Sequence, residues 1–262
     1  MATAVFFHAH PDDEAIATGG TMAKAAKDGH RVVLVVATKG EHGEVAENYL
    51  EPDELLWHRR EREQQDAAKI LGVDRLEFLG YVDSGMIDTP ENEAPECFWQ
   101  ADVDEAAERL ATILREEQAD LLTVYDSNGN YGHPDHIQVH RVGIRAAELA
   151  GVGRVFENTV DRDHFIDLMQ RAAEFGVEMP DDAPTEEFEL GVAGDLITTT
   201  VDVSDFLDVK KAAMRAHASQ IGETSFFLAM PDKAFEAMWG QEWFIRRGAP
   251  SGTKETDLFA GL

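Results

Sequence analysis

Residues 121–136 read LLTVYDSNGNYGHPDH, an apolar run, then a turn rich in Gly and Asn, then a cluster of imidazole and carboxylate side chains. A short β-branched and aromatic run bounded by turn residues is typical of a buried strand. A second stretch has the same design, because VFF at residues 5–7 precedes HPDDE at residues 10–14. We therefore predict that two strand ends, far apart in the sequence, form two halves of one metal site.

Outward from these stretches, the pattern alternates between strands and helices. The expected strands are residues 4–7, 31–37, 76–81, 121–125 and 154–157, and the expected helices are residues 14–27, 54–71, 103–117 and 134–150. This rhythm predicts an α/β protein with a Rossmann-like, doubly wound, mostly parallel sheet. In a 3-2-1-4 strand order the first and fourth strands are neighbours at the point where the order reverses. Ligands bind there, beyond the carboxyl ends of the strands, and both clusters follow those two strands.

The alternation weakens after about residue 160. We predict that residues 1–160 form the Rossmann-like, metal-binding catalytic core. Residues 161–262 are expected to form a smaller C-terminal α+β part that packs on the core and shapes substrate binding. Within it, the pattern predicts a strand at residues 197–203, a helix at residues 204–220, and an acidic surface loop or flap at residues 179–185.

Composition narrows the class of protein. There are 51 acidic and 23 basic residues, a net charge of −28, which disfavours a nucleic-acid or anionic-membrane partner because neutralising phosphates requires Lys and Arg. No apolar run approaches the ~20 residues needed to cross a bilayer, and the N-terminus lacks the basic flank of a signal peptide. We expect a cytoplasmic protein, with homo-oligomerisation left open. The single cysteine, Cys97, excludes an intrachain disulfide and a thiolate zinc cluster.

The paired clusters contain a set of metal ligands. Without thiolates, zinc binds imidazole nitrogen and carboxylate oxygen, and catalytic zinc keeps three protein ligands and one open position for water. His10, Asp13 and His136 supply such a set. Two imidazoles and one carboxylate also suit Fe²⁺ or another divalent metal, so zinc is the first expectation and not the only one.

The remaining polar residues of the clusters fit amide hydrolysis. Zinc lowers the pKa of its bound water to roughly 7, and Asp12 is the predicted general base that takes the proton of this water. His133 is predicted to be the acid or the electrostatic stabiliser, with Asp135 orienting its ring and favouring the imidazolium. Tyr131 is expected to donate a hydrogen bond to the oxyanion that forms when water attacks a carbonyl.

Two alternative interpretations start from other residues. The HAH sequence at residues 8–10 is similar to the metal-binding strand of binuclear amidohydrolases on a TIM barrel, although no later strand carries the further histidines. We slightly favour a packed histidine for His8. TGGT at residues 18–21 suggests a non-catalytic, nucleotide-binding or regulatory Rossmann module, but it is not GxGxxG and lies inside a helix pattern. A protein that binds a metal and a partner without catalysing a reaction is disfavoured, because candidate ligands, a candidate base and a candidate acid are all present.

These motifs resemble the PIG-L/LmbE-like superfamily of zinc-dependent N-acetylglucosaminyl deacetylases and related amidases, which includes a mycothiol-precursor deacetylase and a mycothiol conjugate amidase. The matching segments are residues 9–14, 38–43, 60–63, 83–86, 131–136 and 216–220. The resemblance implies a small N-acyl sugar or amide substrate, and the same ligands and catalytic residues as above. It also implies that Arg60 and Asp83 grip the sugar and that His217 lines the entrance. The alternatives are a surface ion pair for Arg60, a turn cap for Asp83 and a helix-surface position for His217.

Overall fold

A computed structural model of the chain describes residues 1–46, 49–176 and 190–262. Its strands are β1 (Thr3–His8), β2 (Arg31–Val36), β3 (Arg75–Phe78), β4 (Leu121–Tyr125), β5 (Val155–Thr159), β6 (Thr199–Asp202) and β7 (Gln241–Arg246). Its helices are α1 (Asp13–Ala17), α2 (Gly19–Lys27), α3 (Leu56–Leu71), α4 (Val103–Glu116), α5 (Gly129–Gly132), α6 (Pro134–Ala150), α7 (Arg162–Gln170), α8 (Leu207–Ala216) and α9 (Asp232–Trp239). The predicted α/β class is confirmed.

The strands form one sheet in the order β3-β2-β1-β4-β5-β7-β6. Parallel pairing joins the first five strands of this order, from β3 to β5, and the predicted 3-2-1-4 arrangement is confirmed. Side chains of a strand alternate between the two faces of a sheet. In β1, Ala4 and Phe6 accordingly enter one hydrophobic core, whereas Val5 and Phe7 enter the other. Two cores on opposite faces make the sheet doubly wound.

The helix predicted at residues 14–27 is divided at Thr18 into α1 and α2. The division has a long-range cause. Glu242 of β7 accepts hydrogen bonds from the backbone N–H groups of Gly20 and Thr21, both at 2.8 Å, at the beginning of α2. A carboxylate stabilises the positive end of a helix dipole. Since this carboxylate occupies the position where a Rossmann module would bind phosphate, the nucleotide-binding interpretation loses its site.

The part of the chain after residue 160 extends the same sheet. β7 pairs antiparallel with both β5 and β6, so strands from both predicted parts share one hydrogen-bonded layer. The predicted strand at residues 197–203 is present as β6, and the helix predicted at residues 204–220 is a 3-10 turn followed by the shorter α8. The sequence patterns did not predict α7, α9 or β7. The loop or flap predicted at residues 179–185 lies outside the described residues.

Within the described ranges the sheet is open, with β3 and β6 at its edges. The TIM-barrel amidohydrolase interpretation is therefore wrong. None of the helices in these ranges combines the length and the apolar character that crossing a bilayer requires.

Candidate metal centre

The two predicted clusters converge where β1 and β4 end. These strands are neighbours, and the chain continues from β1 to His10 and from β4, through α5, to the first turn of α6, which contains His136. Asp13 lies between the two rings. Its Oδ2 is 3.3 Å from Nδ1 of His10, and its Oδ1 is 3.4 Å from Nε2 of His136. The predicted convergence is confirmed.

A third imidazole joins this cluster. Ring nitrogens of His10, His133 and His136 lie within 4.8 Å of one another, and all three residues are buried. His133 precedes α6, and its Nδ1 accepts a hydrogen bond from the backbone N–H of Asp135 at 3.1 Å. An accepting Nδ1 places the ring proton of neutral His133 on Nε2. With that proton in place His133 is a hydrogen-bond donor, which is consistent with the predicted ligand set of His10, Asp13 and His136.

His136 shows that the site fits a divalent cation. Both of its ring nitrogens are buried without a hydrogen-bond partner among the described residues. Its ring stacks on Tyr125 with 4.2 Å between centroids, so the ring is held in place. A buried polar atom left without a partner costs ~1–3 kcal/mol. A metal ion at Nε2, beside the carboxylate of Asp13, would remove that cost with the donor types that zinc and ferrous iron accept.

The partner of Asp135 differs from the prediction. Its Oδ2 lies 3.0 Å from Nε2 of His10 and accepts the backbone N–H of Ser84 at 2.9 Å, while its Oδ1 accepts the Ser84 hydroxyl. The expectation that Asp135 orients the His133 ring is therefore wrong, because the Asp135 backbone N–H is what contacts His133. A carboxylate on Nε2 fixes the His10 proton there and leaves Nδ1, which faces Asp13, free to bind a metal.

The charges of the cluster follow from these contacts. Burial lowers the pKa of His10, but the carboxylates of Asp83, Asp13 and Asp135 outweigh it, so that the pKa lies well above its ordinary value. Burial, together with the positive charges of His10 and His136, lowers the pKa of His133 to about 3. These contacts favour the neutral form of the His133 ring, and the role of an imidazolium at this position stays a prediction.

Asp12 occupies a strained position beside the cluster. Its φ of 111° is unusual for a residue with a side chain, and such outliers concentrate at functional sites. Its N–H donates to Oε2 of Glu14 at 3.1 Å, and its Oδ2 lies 3.3 Å from Nη2 of Arg60. Burial raises the pKa of Asp12 to about 6 despite the charge of Arg60. A carboxyl group with a pKa near neutrality suits a general base.

Arg60 is 4% exposed, so the surface ion pair considered for it is wrong. Its guanidinium donates to the backbone carbonyl oxygens of Gly40 at 2.9 Å and Pro11 at 2.6 Å. It thus holds together the two loops that follow β1 and β2. The contact with a sugar that the resemblance implies stays a prediction.

Asp83 both caps a turn and faces the cluster. Its Oδ1 accepts the N–H of Gly85 at 2.8 Å and lies 3.4 Å from Nε2 of His10. Its Oδ2 accepts the N–H of His42 at 3.2 Å. The turn cap considered from the sequence is confirmed, and the position next to His10 leaves its role toward a sugar as a prediction.

His217 lies neither at an entrance nor on a helix surface, and both expectations are wrong. The residue has no exposed surface, and its Nε2 is 2.7 Å from Oε1 of Glu14. Burial lowers the pKa of His217, but Glu14 and Asp12 outweigh it and raise the pKa, while His217 lowers that of Glu14. The two form a buried ion pair behind Asp12. Glu14 was not predicted as a site residue from the sequence, although a fully buried glutamate needs a partner.

Tyr131 stands at the solvent side of the cluster. It belongs to the short α5, is 40% exposed, and its ring meets His136 edge-on at 5.0 Å between centroids. Burial of the hydroxyl and the charge of Asp13 raise its pKa, so the group stays protonated and can donate. His8 is the packed histidine that we favoured, since its nitrogens contact Tyr125 at 2.9 Å and Thr18 at 2.8 Å.

Comparison with known proteins identifies a family and relatives of this chain. A family model described as PIG-L: GlcNAc-PI de-N-acetylase matches residues 5–147. The chain is 42% identical to the 1D-myo-inositol 2-acetamido-2-deoxy-alpha-D-glucopyranoside deacetylase of Acidothermus cellulolyticus, over 97% of this chain and 93% of that relative. The match therefore spans both the core and the part after residue 160.

Two similar solved structures are more distant in sequence. The N,N'-diacetylchitobiose deacetylase of Pyrococcus horikoshii is 22% identical, with a TM-score of 0.59 over 93% of this chain and 83% of that one. The 4-carboxy-2-hydroxymuconate hydratase of Pseudomonas putida is 20% identical, with a TM-score of 0.61 over 95% and 98%. A deacetylase and a hydratase share this architecture, so the structural likeness shows the fold alone.

Proposed function

The chain belongs to the PIG-L family of GlcNAc-PI de-N-acetylases, and we propose that it is a metal-dependent hydrolase that deacetylates an N-acetylated amino sugar or cleaves a related amide. The proposal is carried by the convergence of His10, Asp13 and His136 at the ends of β1 and β4, with Asp12 beside them. The relative that is 42% identical is named for the deacetylation of a 2-acetamido-2-deoxy-glucopyranoside. A small-molecule substrate with an acetamido group is therefore the first candidate.

His10, Asp13 and His136 would hold the metal, with zinc as the proposed ion and Fe²⁺ or another divalent cation as alternatives. A bound divalent cation polarises a carbonyl oxygen and makes a water molecule acidic near neutral pH. The unpartnered nitrogens of His136 and the carboxylate on His10 Nε2 support this assignment.

The neighbouring residues fit the proton transfers of amide hydrolysis. Asp12 is placed to accept the proton of the attacking water, because its pKa of about 6 leaves it mostly deprotonated yet basic at neutral pH. Neutral His133 presents a donor at Nε2, and Tyr131 presents its hydroxyl. Both would stabilise the negative charge that develops on the carbonyl oxygen. In this scheme His133 acts as a neutral donor, and protonated Asp12 would pass the proton of the water to the leaving nitrogen as the C–N bond breaks, which yields the free amine and the carboxylate.

The binding of the sugar is proposed for the side of the cluster that carries Asp83. Its carboxylate is an acceptor for sugar hydroxyl groups, which are the donors of such a substrate. His217 already bonds to Glu14, so we assign it to fixing the Asp12 turn. Arg60 fixes the loops after β1 and β2, and its contact with the sugar stays a prediction. Residues 161–262 are proposed to shape the rest of the binding site.

The test is the release of acetate by the purified, metal-loaded protein. Substrates are N-acetylglucosamine, its myo-inositol α-glycoside and N,N'-diacetylchitobiose. We expect hydrolysis of at least one, loss of activity with a chelator, and recovery when one ion per chain is restored. Metal-loaded protein that releases acetate from none of them contradicts the proposal.

Two histidine variants give a matched check of the ligand assignment. His136→Gln should lose the bound metal, measured by elemental analysis, because it removes one of three ligands. His58→Gln, on the exposed face of α3, should retain the metal. Equal metal content in both variants would remove His136 from the ligand set.

A further inference from the structure

A cavity of about 470 Å³ opens beside the metal centre, on the side of β5 and β7. Asp13, Tyr131 and His136 line it, so the cavity reaches the reacting centre. The rest of its wall is mainly apolar and includes Phe165, Phe226, Phe227, Met238, Trp239 and Trp243. Pockets that bury whole small molecules span ~300–1,000 Å³, and this cavity falls within that range.

Two charged groups in the wall of this cavity, Lys210 and Glu242, are already paired with each other. Nζ of Lys210 lies 2.6 Å from Oε1 of Glu242, and the Glu242 carboxylate also accepts the two N–H groups at the beginning of α2. Asn158 donates to the backbone carbonyl oxygen of Ala17 at 3.2 Å. A polar ligand would have to compete with these bonds, whereas an apolar ligand fills the space without disturbing them.

The cavity lies on the opposite side of the cluster from Arg60 and Asp83. Those two residues contact the loops after β1 and β2, and neither is among the described residues that line the cavity. β1 separates the β2 side from the β4–β5 side in the sheet. An amide has two substituents, and a carbonyl held at the metal centre directs them to opposite sides. If the amino sugar lies on the Asp83 side, the acyl group points into the apolar cavity.

We propose that this cavity is an acyl-binding subsite and that the chain prefers N-acyl amino sugars with an unbranched apolar acyl chain longer than acetyl. The inference rests on the proposed function for the position of the amide. An acetyl group offers one methyl group to a cavity that can hold a much larger apolar substituent. Each additional methylene removed from water increases binding about fourfold, and the gain appears in kcat/KM when the group is bound in the transition state.

The first test compares glucosamines that carry acetyl, butyryl and hexanoyl groups on nitrogen, with metal-loaded protein. We expect kcat/KM to rise by about tenfold or more for every two methylenes. A parallel series of N-acetylglucosamine alkyl glycosides places the added methylenes on the sugar side. A flat or falling acyl series overturns the proposal, and a rise confined to the glycoside series overturns the assignment of the cavity to the acyl group.

A variant that narrows the cavity links this gain to the wall. Val160 lines the cavity, and Val160→Phe adds volume there. The hexanoyl-to-acetyl ratio of kcat/KM should fall by about tenfold in this variant. The control is Ile70→Phe, a similar apolar enlargement on the exposed face of α3, which should keep the wild-type ratio. An unchanged ratio in folded Val160→Phe contradicts the proposal.

Direct binding to the wild-type protein separates this inference from the proposed function. Octanoate and acetate are titrated into metal-loaded protein by calorimetry, with no turnover required. We expect octanoate to bind at least tenfold more tightly, with a negative heat-capacity change that marks burial of apolar surface. Equal affinities overturn the subsite even if acetate is released from sugars. Tight octanoate binding by a protein that hydrolyses no N-acyl sugar refutes the proposed function and retains an acyl-binding cavity.

Discussion

Residues 1–160 and residues 161–262 contribute different things to the site. The side chains of the proposed metal centre and the proposed base all precede residue 160 and lie at strand ends or in the first turn of a helix: His10, Asp12, Asp13 and His136. The later residues contribute the His217 that pairs with Glu14, the ion pair beneath α2, and most of the aromatic cavity wall. Chemistry thus comes from short local motifs, whereas support and the shape of the cavity come from long-range contacts.

This division predicts two kinds of variant. Substitutions at the strand ends should change catalysis or metal affinity while the protein stays folded. Substitutions in the later part that do not line the cavity should mainly change the free energy of unfolding. Each of the following experiments tests one side of that division.

Asp12→Asn should have the largest effect, a loss of ~10²–10⁴ in kcat in a folded protein with unchanged metal content. The amide cannot accept the proton of water, while Asn tolerates a positive φ and preserves the turn. Asp88→Asn is the matched control, because Asp88 is an exposed aspartate that also has a positive φ of 65°. Acetate release and metal content are measured for both. Wild-type turnover by Asp12→Asn would remove Asp12 as the base.

His217→Gln should destabilise the protein by ~3–5 kcal/mol, because it leaves the Glu14 carboxylate buried without its cation. The raised pKa of His217 means that its contribution is complete below the unfolded value of 6.5 and is lost as pH rises through the folded pKa. The lowered pKa of Glu14 means that its contribution is complete above 4.5 and is lost as pH falls through its folded pKa. The wild type and the variant should therefore differ most between pH 4.5 and 6.5.

Urea unfolding at pH 5.5 and pH 9 measures this difference. The double variant Glu14→Gln/His217→Gln is the control and should regain part of the stability, because no unpaired charge remains. A His217→Gln protein with normal stability but impaired turnover would contradict this division, since a residue of the later part would then affect catalysis and not stability.

Asp135→Asn should weaken metal binding by ~10–100-fold, because the carboxylate that holds the Nε2 proton of His10 loses its charge. Ser84→Ala removes one hydrogen bond to that carboxylate and should weaken binding less. Competition with a chelating dye measures both affinities. The loss of metal affinity should be larger in Asp135→Asn than in Ser84→Ala. A larger loss in Ser84→Ala would show that Asp135 acts through the loop and not through His10.

Local patterns explain how much of the fold the sequence predicts. β4 and α6 begin and end at the predicted residues. The limits of α6 follow from local residues, because the helix starts with a proline and ends before Gly151, which has a φ of 75°. The cluster of candidate metal ligands was predicted for the same reason, since each half lies within five residues of sequence. Parallel pairing then brings the halves together without further information.

The missed features depend on partners far along the chain. Glu242 bonds to α2 across 222 positions, and His217 bonds to Glu14 across 203. No local pattern records such pairs, so the division of α1 from α2 and the burial of His217 were not predicted. The partner of Asp135 was missed because Ser84, on the loop after β3, is also distant.

Gly20→Ala gives the smallest effect and tests how closely the later part packs on α2. A Cβ at Gly20 would lie 2.5 Å from Cβ of Val203, a distance that real side chains do not adopt. Overpacking of this kind costs ~1–3 kcal/mol. Replacing a helical glycine with alanine returns roughly 0.5–1 kcal/mol. Gly20→Ala should therefore lower the free energy of unfolding, measured with urea, by about 1–2 kcal/mol without a change in metal affinity.

Two further variants decide whether contact with Val203 is the cause of that loss. Gly153→Ala adds a methyl group where nothing lies within 4 Å, and should leave the free energy of unfolding nearly unchanged. Adding Val203→Gly to Gly20→Ala removes the Cβ that clashes, so the double variant should lose less than the sum of the two single losses. A Gly20→Ala protein as stable as wild type would mean that residues after 160 lie loosely on α2. These residues could then not support α2 by packing against it.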